Sequence, residues 1–439
     1  MLVAMTATAP RLLAGTYPLW LSVDTSAQLS SSLGSFAVPL LALSVTGSPT
    51  QAGVIGAVGL VGRASSTLTG GTLADRHPRG TLLVIGGITG LLLALALTAL
   101  SLAHALGFAV LLVLNLALNV RAGLFGPASD AALKDVVPLT ALGRAQAANE
   151  GRDAVLSLGA SPLGGVLLGV GPWLIGAAMT ACQVVTTLCA LVLRGRLPRG
   201  VAAGKAPGSD TVPVAAPDAL PDAVPAPAAG PVTPRGLLGA LGWMWARHDL
   251  RGVLVLSTVV NLGFLLITTT TIYSLQQAGA APVAIGLVSA GIGAGSLLGS
   301  LAAVPLVRRV PAGVLTVSGM ALFTLGCAVV PLLHAPLALA LVLAVAMLGV
   351  PALNAALLGY TMVITPSALL GRVSAVIQTA ALGATPLAPL LAGTGLDTVG
   401  RTPTLLFGVA LCAVATVATC CVRELRRLPA EAEWQAAAV

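Results

Sequence analysis

Charge is scarce in this sequence. Asp, Glu, Lys and Arg make up only 8% of its 439 residues, where a soluble domain carries about 25%. So few polar side chains cannot cover a folded surface in water, which excludes a soluble globular protein. Aromatic residues are sparse as well, at 3%, which excludes a dense aromatic cage for a cation. The six cysteines (Cys182, Cys189, Cys327, Cys412, Cys420 and Cys421) have neither zinc-like nor thioredoxin-like spacing. With only four histidines beside them, no metal site can be assembled, and the cysteines read as small packing residues. No phosphate-binding loop of the Gly-x-x-x-x-Gly-Lys-Ser/Thr type occurs, so ATP hydrolysis is not the energy source. Nor is there a nucleophile–base pair. The chain is expected not to be an enzyme and to need no cofactor.

What is there is hydrocarbon. Apolar residues reach 56% and the mean hydropathy is +0.98. Apolar stretches recur from end to end, each long enough to cross about 30 Å of hydrocarbon. With no water in the bilayer core, a crossing must be a helix or part of a closed barrel, and continuous apolar runs select helices. Twelve crossings are expected, at residues 15–45, 50–74, 80–103, 105–127, 145–170, 172–193, 250–274, 282–304, 312–332, 335–360, 372–393 and 402–422. An even number puts both termini on one side. Of the 22 Lys and Arg, three (Arg63, Arg121 and Arg152) lie within crossings and Arg401 lies on the far side; the other 18 lie on the side of the termini. That bias marks the termini as cytoplasmic, in the plasma membrane. It also accounts for the net charge of +8 without a nucleic-acid partner. Only Arg11 precedes the first apolar stretch, which is too long for a cleaved signal.

The chain repeats itself. Pro127 to Leu133 (PASDAAL) returns as Pro351 to Leu357 (PALNAAL), Pro138 to Arg144 as Pro366 to Arg372, and Leu158 to Leu163 as Leu382 to Leu387. The offsets are 224, 228 and 224 residues. Two homologous halves therefore run in the same direction, which implies two bundles around a central path. The expected division is a six-helix bundle over 1–195, a Pro/Ala-rich cytoplasmic linker over 196–236, a second bundle over 237–423 and a tail over 424–439. The linker cannot bury enough apolar area to offset its ordering entropy. Just after it, Trp243 and Trp245 mark a short helix suited to the headgroup level.

The turn between the second and third crossings carries the most specific motif, Gly70-Gly71-Thr72-Leu73-Ala74-Asp75-Arg76-His77-Pro78-Arg79. It resembles the loop signature of the major facilitator superfamily, Gly-x-Leu-Ala-Asp-Arg-x-Gly-Arg-Arg, at Gly71, Leu73, Ala74, Asp75, Arg76 and Arg79. Pro78 replaces a family glycine and Gly80 a second arginine. The resemblance covers the whole chain and implies an all-α integral membrane protein of twelve helices in two parallel-repeat bundles. It also implies that Gly71, Asp75, Arg76 and Arg79 form a gate latch. There the glycine lets a neighbouring helix come close and the aspartate bonds to a helix N-terminus and to arginine. The matching place in the second half, Gly299 to Ala303, has lost the acid. In crossing five, Gly159, Pro162 and Gly165 look like the Gly-Pro motif of the superfamily's antiporters and exporters, with Ser161 where a glycine is usual. Proline removes a helix hydrogen bond and the small residues allow bending, so these residues, with Pro386 in crossing eleven, are candidate hinges. Ala147-Ala148-Asn149 resembles the drug and siderophore exporter branch.

Charges within the membrane are costly and mark function. Asp24, Arg63, Arg121 and Glu150 are the candidates for proton coupling. Asp24 is the expected carrier, and Arg121 approximates the crossing-four arginine that the resemblance associates with coupling. The second half carries no charge in its crossings; its polar candidates for a substrate cavity are Asn261, Thr268 to Thr271, Tyr273, Asn354, Tyr360 and Gln378. The expectation is a monomeric secondary transporter in the lipid bilayer, exchanging a small amphipathic compound for protons. An importer or uniporter on the same fold is the alternative, and a sensor or scaffold without transport is a third.

Overall fold

A computed structural model describes residues 16–137, 142–196, 248–364 and 383–421. The linker, both chain ends and residues 365–382 lie outside the described residues, and so do the repeat copies at 138–141 and 366–372 and the segment with Trp243 and Trp245.

The described chain is helical. The first half comprises α1 (Tyr17–Thr46), α2 (Pro49–Arg76), α3 (Arg79–Leu102), α4 (Phe108–Val136), α5 (Leu142–Val170) and α6 (Pro172–Arg196). The second comprises α7 (His248–Gln277), α8 (Pro282–Arg309), α9 (Ala312–Val329), α10 (Pro336–Met347), α11 (Val350–Ile364), α12 (Leu387–Thr398) and α13 (Arg401–Cys421). Short turns separate neighbours. Gly47, at φ 65°, closes α1 in the left-handed conformation and Ser48 caps α2. Ten segments are long and apolar enough to cross a membrane. Two expected crossings are not among them. α2 has the length, but a polar run from Arg63 to Asp75 lowers its hydropathy. Crossing eleven is described only from residue 383.

Several expected bounds change. α4 continues through Pro127 to Val136, well beyond residue 127. Crossing ten is two helices, α10 and α11, broken between Met347 and Val350 ahead of Pro351. Pro127 and Pro351 occupy the same repeat position, and their neighbours explain the difference. α2 lies against α4 beside Pro127: a Cβ on Gly70 would strike the carbonyl oxygens of Gly123 and Leu124. In the second half, Gly291, Gly295 and Gly299 of α8 lie against the backbone of Ala340, Ala344 and Leu348. That clasp of small residues stops at the break.

The turns at 47–48, 103–107, 171, 278–281 and 399–400 lie on one face of the molecule. The ends near 76–79, 137 and 310–311 lie on the other, here called the basic face. Each half's buried core takes side chains from the other. Tyr273 and Leu396 join the cluster formed by the first half. Phe36 and Leu40 join that of the second. The halves meet along α5 with α8 and α2 with α12. Large apolar side chains such as Val61, Leu188, Leu325 and Val414 point outward, as a lipid-facing surface requires.

Candidate functional site

A cavity of about 360 Å³ lies between the halves. The first half supplies Ser32, Ser35, Phe36, Asn115, Asn119, Ser157 and Ser161. The second supplies Thr269, Tyr273, Ser289, Thr385 and Pro389. The lining is mostly apolar, with Val38, Ile55, Leu60, Leu265 and Ile272 between these hydroxyl and amide groups, and carries no charge. Asn115 donates to the Ile55 carbonyl at 2.7 Å, and Asn119 donates to the Asn115 carbonyl at 2.9 Å. This amide pair sits against Gly59, where a side chain would collide with it.

Hydrogen bonds join the halves away from the basic face. Asp397, at the end of α12, accepts from the Thr50 backbone N–H at 2.9 Å and from the Ser48 hydroxyl at 3.1 Å. It thereby caps the N-terminus of α2, a helix of the other half. Burial pushes this carboxyl up, but the bonds from Thr50 and Ser48 outweigh it and hold the group below the ordinary carboxylate value. Nearby, Gln276 of α7 donates to the Leu40 carbonyl of α1 at 2.7 Å. Gly53 and Gly393 bring α2 and α12 into backbone contact around Pro389 and Pro49.

Charged groups gather in a second cavity of about 270 Å³ inside the first half, lined by Asp24, Arg63, Arg121, Asp130 and Asp153 among others. Asp24, Arg63 and Arg121 are thus brought together. Asp24 forms an ion pair with Arg152 and accepts from the Ser129 hydroxyl at 2.5 Å. Arg152 also reaches Asp153 at 2.7 Å, and its guanidinium lies 6.0 Å from the centre of the Trp20 ring. The Trp20 indole donates to the Ser129 carbonyl at 3.0 Å, tying α1 to α4. Arg121 donates to the Gly86 carbonyl at 2.7 Å and to Gln183 at 3.2 Å. Glu150 belongs to α5, but its side chain lies outside the described residues.

The other expected residues are placed as follows. In the latch motif, Gly71 has open space around it; the close approach falls to Gly70, whose side of α2 faces α4. Asp75 and Arg76 are exposed at the basic face. Asp75 pairs with no described residue. Arg79 instead binds Asp135 at 2.6 Å and the Ala131 carbonyl at 2.9 Å, joining α3 to α4. In the hinge motif, α5 runs through Pro162 unbroken. Gly159 faces open space, while Gly165 lies against the Pro282 backbone and Gly286 against that of Ser161 and Pro162. Pro386 precedes α12, in a turn. Asn261 and Asn354 do not reach the central cavity. They line a separate neutral pocket of about 220 Å³ in the second half, with Phe264, Met320, Phe323 and Met347. The Tyr360 side chain and all of Gln378 lie outside the described residues. Sequence reasoning missed the serines of α1 and the Asn115/Asn119 pair. Their signal was available: Ser32 and Ser35, like Asn115 and Asn119, stand one helical turn apart on one face.

A sequence profile of the Major Facilitator Superfamily matches residues 23–389. The chain belongs to the major facilitator superfamily. No curated protein sequence matches it. Solved structures show the same fold at low identity. A bacterial homolog of the human lysosomal transporter Spinster, inward-facing and unoccupied, aligns at TM-score 0.67 and 15% identity, over 96% of this chain and 100% of that one. A bacterial homologue of the iron transporter ferroportin, also inward-facing, aligns at 0.67 and 14%, over 94% and 100%. A POT family peptide transporter aligns at 0.67 and 15%, over 95% and 97%. This superfamily member is therefore a multi-pass membrane transporter, with a cavity between its halves that suits a small molecule.

Proposed function

We propose that the chain is a secondary active transporter that exports a small amphipathic compound, drug-, antibiotic- or siderophore-like, in exchange for protons. The central cavity carries this reading. It is walled by both halves and sealed at one face by Asp397 and Gln276. Residues such as Ser31, Ser35, Asn119 and Arg63 line a strip from it towards the charged pocket. Rocking the halves about the α2–α12 and α5–α8 contacts would expose the cavity to either side in turn. The excess of basic residues supports a plasma-membrane orientation with cytoplasmic termini. The sealed face is then external, the arrangement that two of the structural relatives are described as having. The unengaged Asp75 fits the same state, since a latch of that kind holds the basic face shut. The chain acts as a monomer in this reading. Coupling falls to Asp24, because a proton on its carboxylate releases Arg152 and hence the tie between α1 and α5. Structural relatives described by cargo differ in it, iron for one and peptide for another, so the substrate is read from the cavity and not from the fold.

The test is a reconstitution of the purified chain in liposomes with an imposed proton gradient and a panel of amphipathic compounds. Gradient-driven compound movement, with matching proton flux, is expected. Movement that ignores the gradient would sink the coupling claim. The ion pair that already engages Asp24 favours one second reading, a uniporter or importer. It would be preferred if Asp24→Asn left both the rate and its pH dependence unchanged.

A further inference from the structure

Between the central cavity and the charged pocket lies a small cavity of about 60 Å³, lined by Arg63 and Arg121 and by no carboxylate. Both arginines stand halfway along their helices, which places each about 20 Å from either helix end. Arg121 is packed so tightly that a Cβ on Gly90 would lie 2.6 Å from its guanidinium carbon. Its two acceptors, the Gly86 carbonyl and Gln183, are both neutral. The Arg63 guanidinium forms no hydrogen bond or ion pair with a described residue. Asp24, Asp130 and Asp153 line the adjoining charged pocket with these arginines; Arg152 holds Asp24 and Asp153, and Asp130 is engaged as well. Two cations at mid-membrane depth, Arg63 exposed and Arg121 packed, therefore share a small cavity that no carboxylate lines. Cations at this depth normally have a paired anion or backbone carbonyls.

The geometry points to a monoanion site here, in which a carboxylate or a halide ion sits between the guanidiniums of Arg63 and Arg121. Guanidinium presents its N–H groups as a fork that matches a carboxylate, and Ser31 offers a hydroxyl from the facing wall. The size agrees, because space for about four or five water molecules holds an acidic group but not a whole substrate. Ser35, Val38, Asn115 and Asn119 line this cavity and the central one alike. A molecule in the central cavity can therefore extend an acidic end between the arginines. Resting on the reading that the central cavity holds the substrate, this names its class: amphipathic carboxylic acids. It also gives Arg121 a task beyond coupling.

The experiment measures chloride NMR linewidth on the purified full-length chain in detergent, with benzoate as the competing carboxylate. Parent protein is expected to broaden the chloride line, and benzoate to narrow it again. Arg63→Gln is expected to weaken chloride by about tenfold or more, the worth of a charge-assisted hydrogen bond. Arg63→Lys keeps the charge and should retain most of the broadening, which separates loss of the anion from loss of the fold. Broadening that depends on Arg63 but resists benzoate would leave a resident inorganic anion and overturn the substrate class. Broadening unchanged in Arg63→Gln would overturn the site. Neither result requires transport, so failure here is distinct from failure of the transport assay.

Discussion

At the scale of single residues, the Asp24–Arg152 pair is the clearest unit. Its side chains are 21% and 15% exposed, so removing Arg152 strands a largely desolvated carboxylate, whereas removing Asp24 leaves Arg152 its pair with Asp153. Arg152→Gln should lower stability by roughly 2 kcal/mol, below the usual range for fully buried pairs. Asp24→Asn combined with Arg152→Gln should recover part of that loss, because the more exposed Asp153 is then the one member of the trio left as an unpartnered charge. Thermal unfolding of the three proteins in detergent gives the comparison, and a double variant no better than the single would refute it. The sequence made Asp24 and Arg152 legible as intramembrane charges, but their partnership crosses 128 residues. The serines of the cavity were less legible for a local reason. Ser35 donates to the Ser32 carbonyl within its own helix, as hydroxyls in helices commonly do. Such a serine leaves little trace in hydropathy, whichever way it faces.

At the scale of elements, the capping of α2 by Asp397 governs one closed face. Gly53 allows it, since any side chain there would strike the Pro389 carbonyl. Gly53→Val should push α12 off α2. A cysteine placed at Ser35 should then react severalfold faster with an impermeant maleimide added from that face, and an unchanged rate would count against the contact. The pH dependence has a definite sign. The Asp397 carboxyl sits below its ordinary value in this state. Its contribution is present above the ordinary carboxylate pKa of about 3.9 and is lost as pH falls through the lowered value. Closure should thus be constant from neutral to mildly acidic pH and weaken only below about pH 4, as distances between spin labels on α2 and α12 would report. Helix placement was legible along most of the chain because continuous apolar runs of about twenty residues select helices in a bilayer. The continuation of α4 through Pro127 and the break before Pro351 were not, since the two prolines share a motif and differ only in the neighbours that pack beside them.

At the scale of the whole molecule, the repeat shows how the halves diverged. Gly126, Ser129 and Asp130 line the charged pocket of the first half. Their equivalents Val350, Leu353 and Asn354 line the neutral pocket of the second. Each polar or small residue has an uncharged, mostly apolar counterpart, so the sequence's contrast between the halves survives as two related pockets of opposite character. If rocking of the halves is the working motion, a short bis-maleimide between cysteines at Thr50 and Asp397, in a chain cleared of its own six cysteines, should stop transport. A cleavable version should restore it on reduction, and transport that persists through the cross-link would exclude rocking at this face. The break between α10 and α11 has a further consequence. The turn stays partly bonded, Leu348 N–H to the Val345 carbonyl and Leu353 N–H to the Gly349 carbonyl, both at 3.2 Å, but the regular ladder is interrupted at mid-bilayer depth, where lipid offers no replacement partner. Amide exchange should therefore be quicker around Leu348 and Gly349 than at the repeat-equivalent stretch of α4, and crossing ten would be the seam along which the second half first loosens.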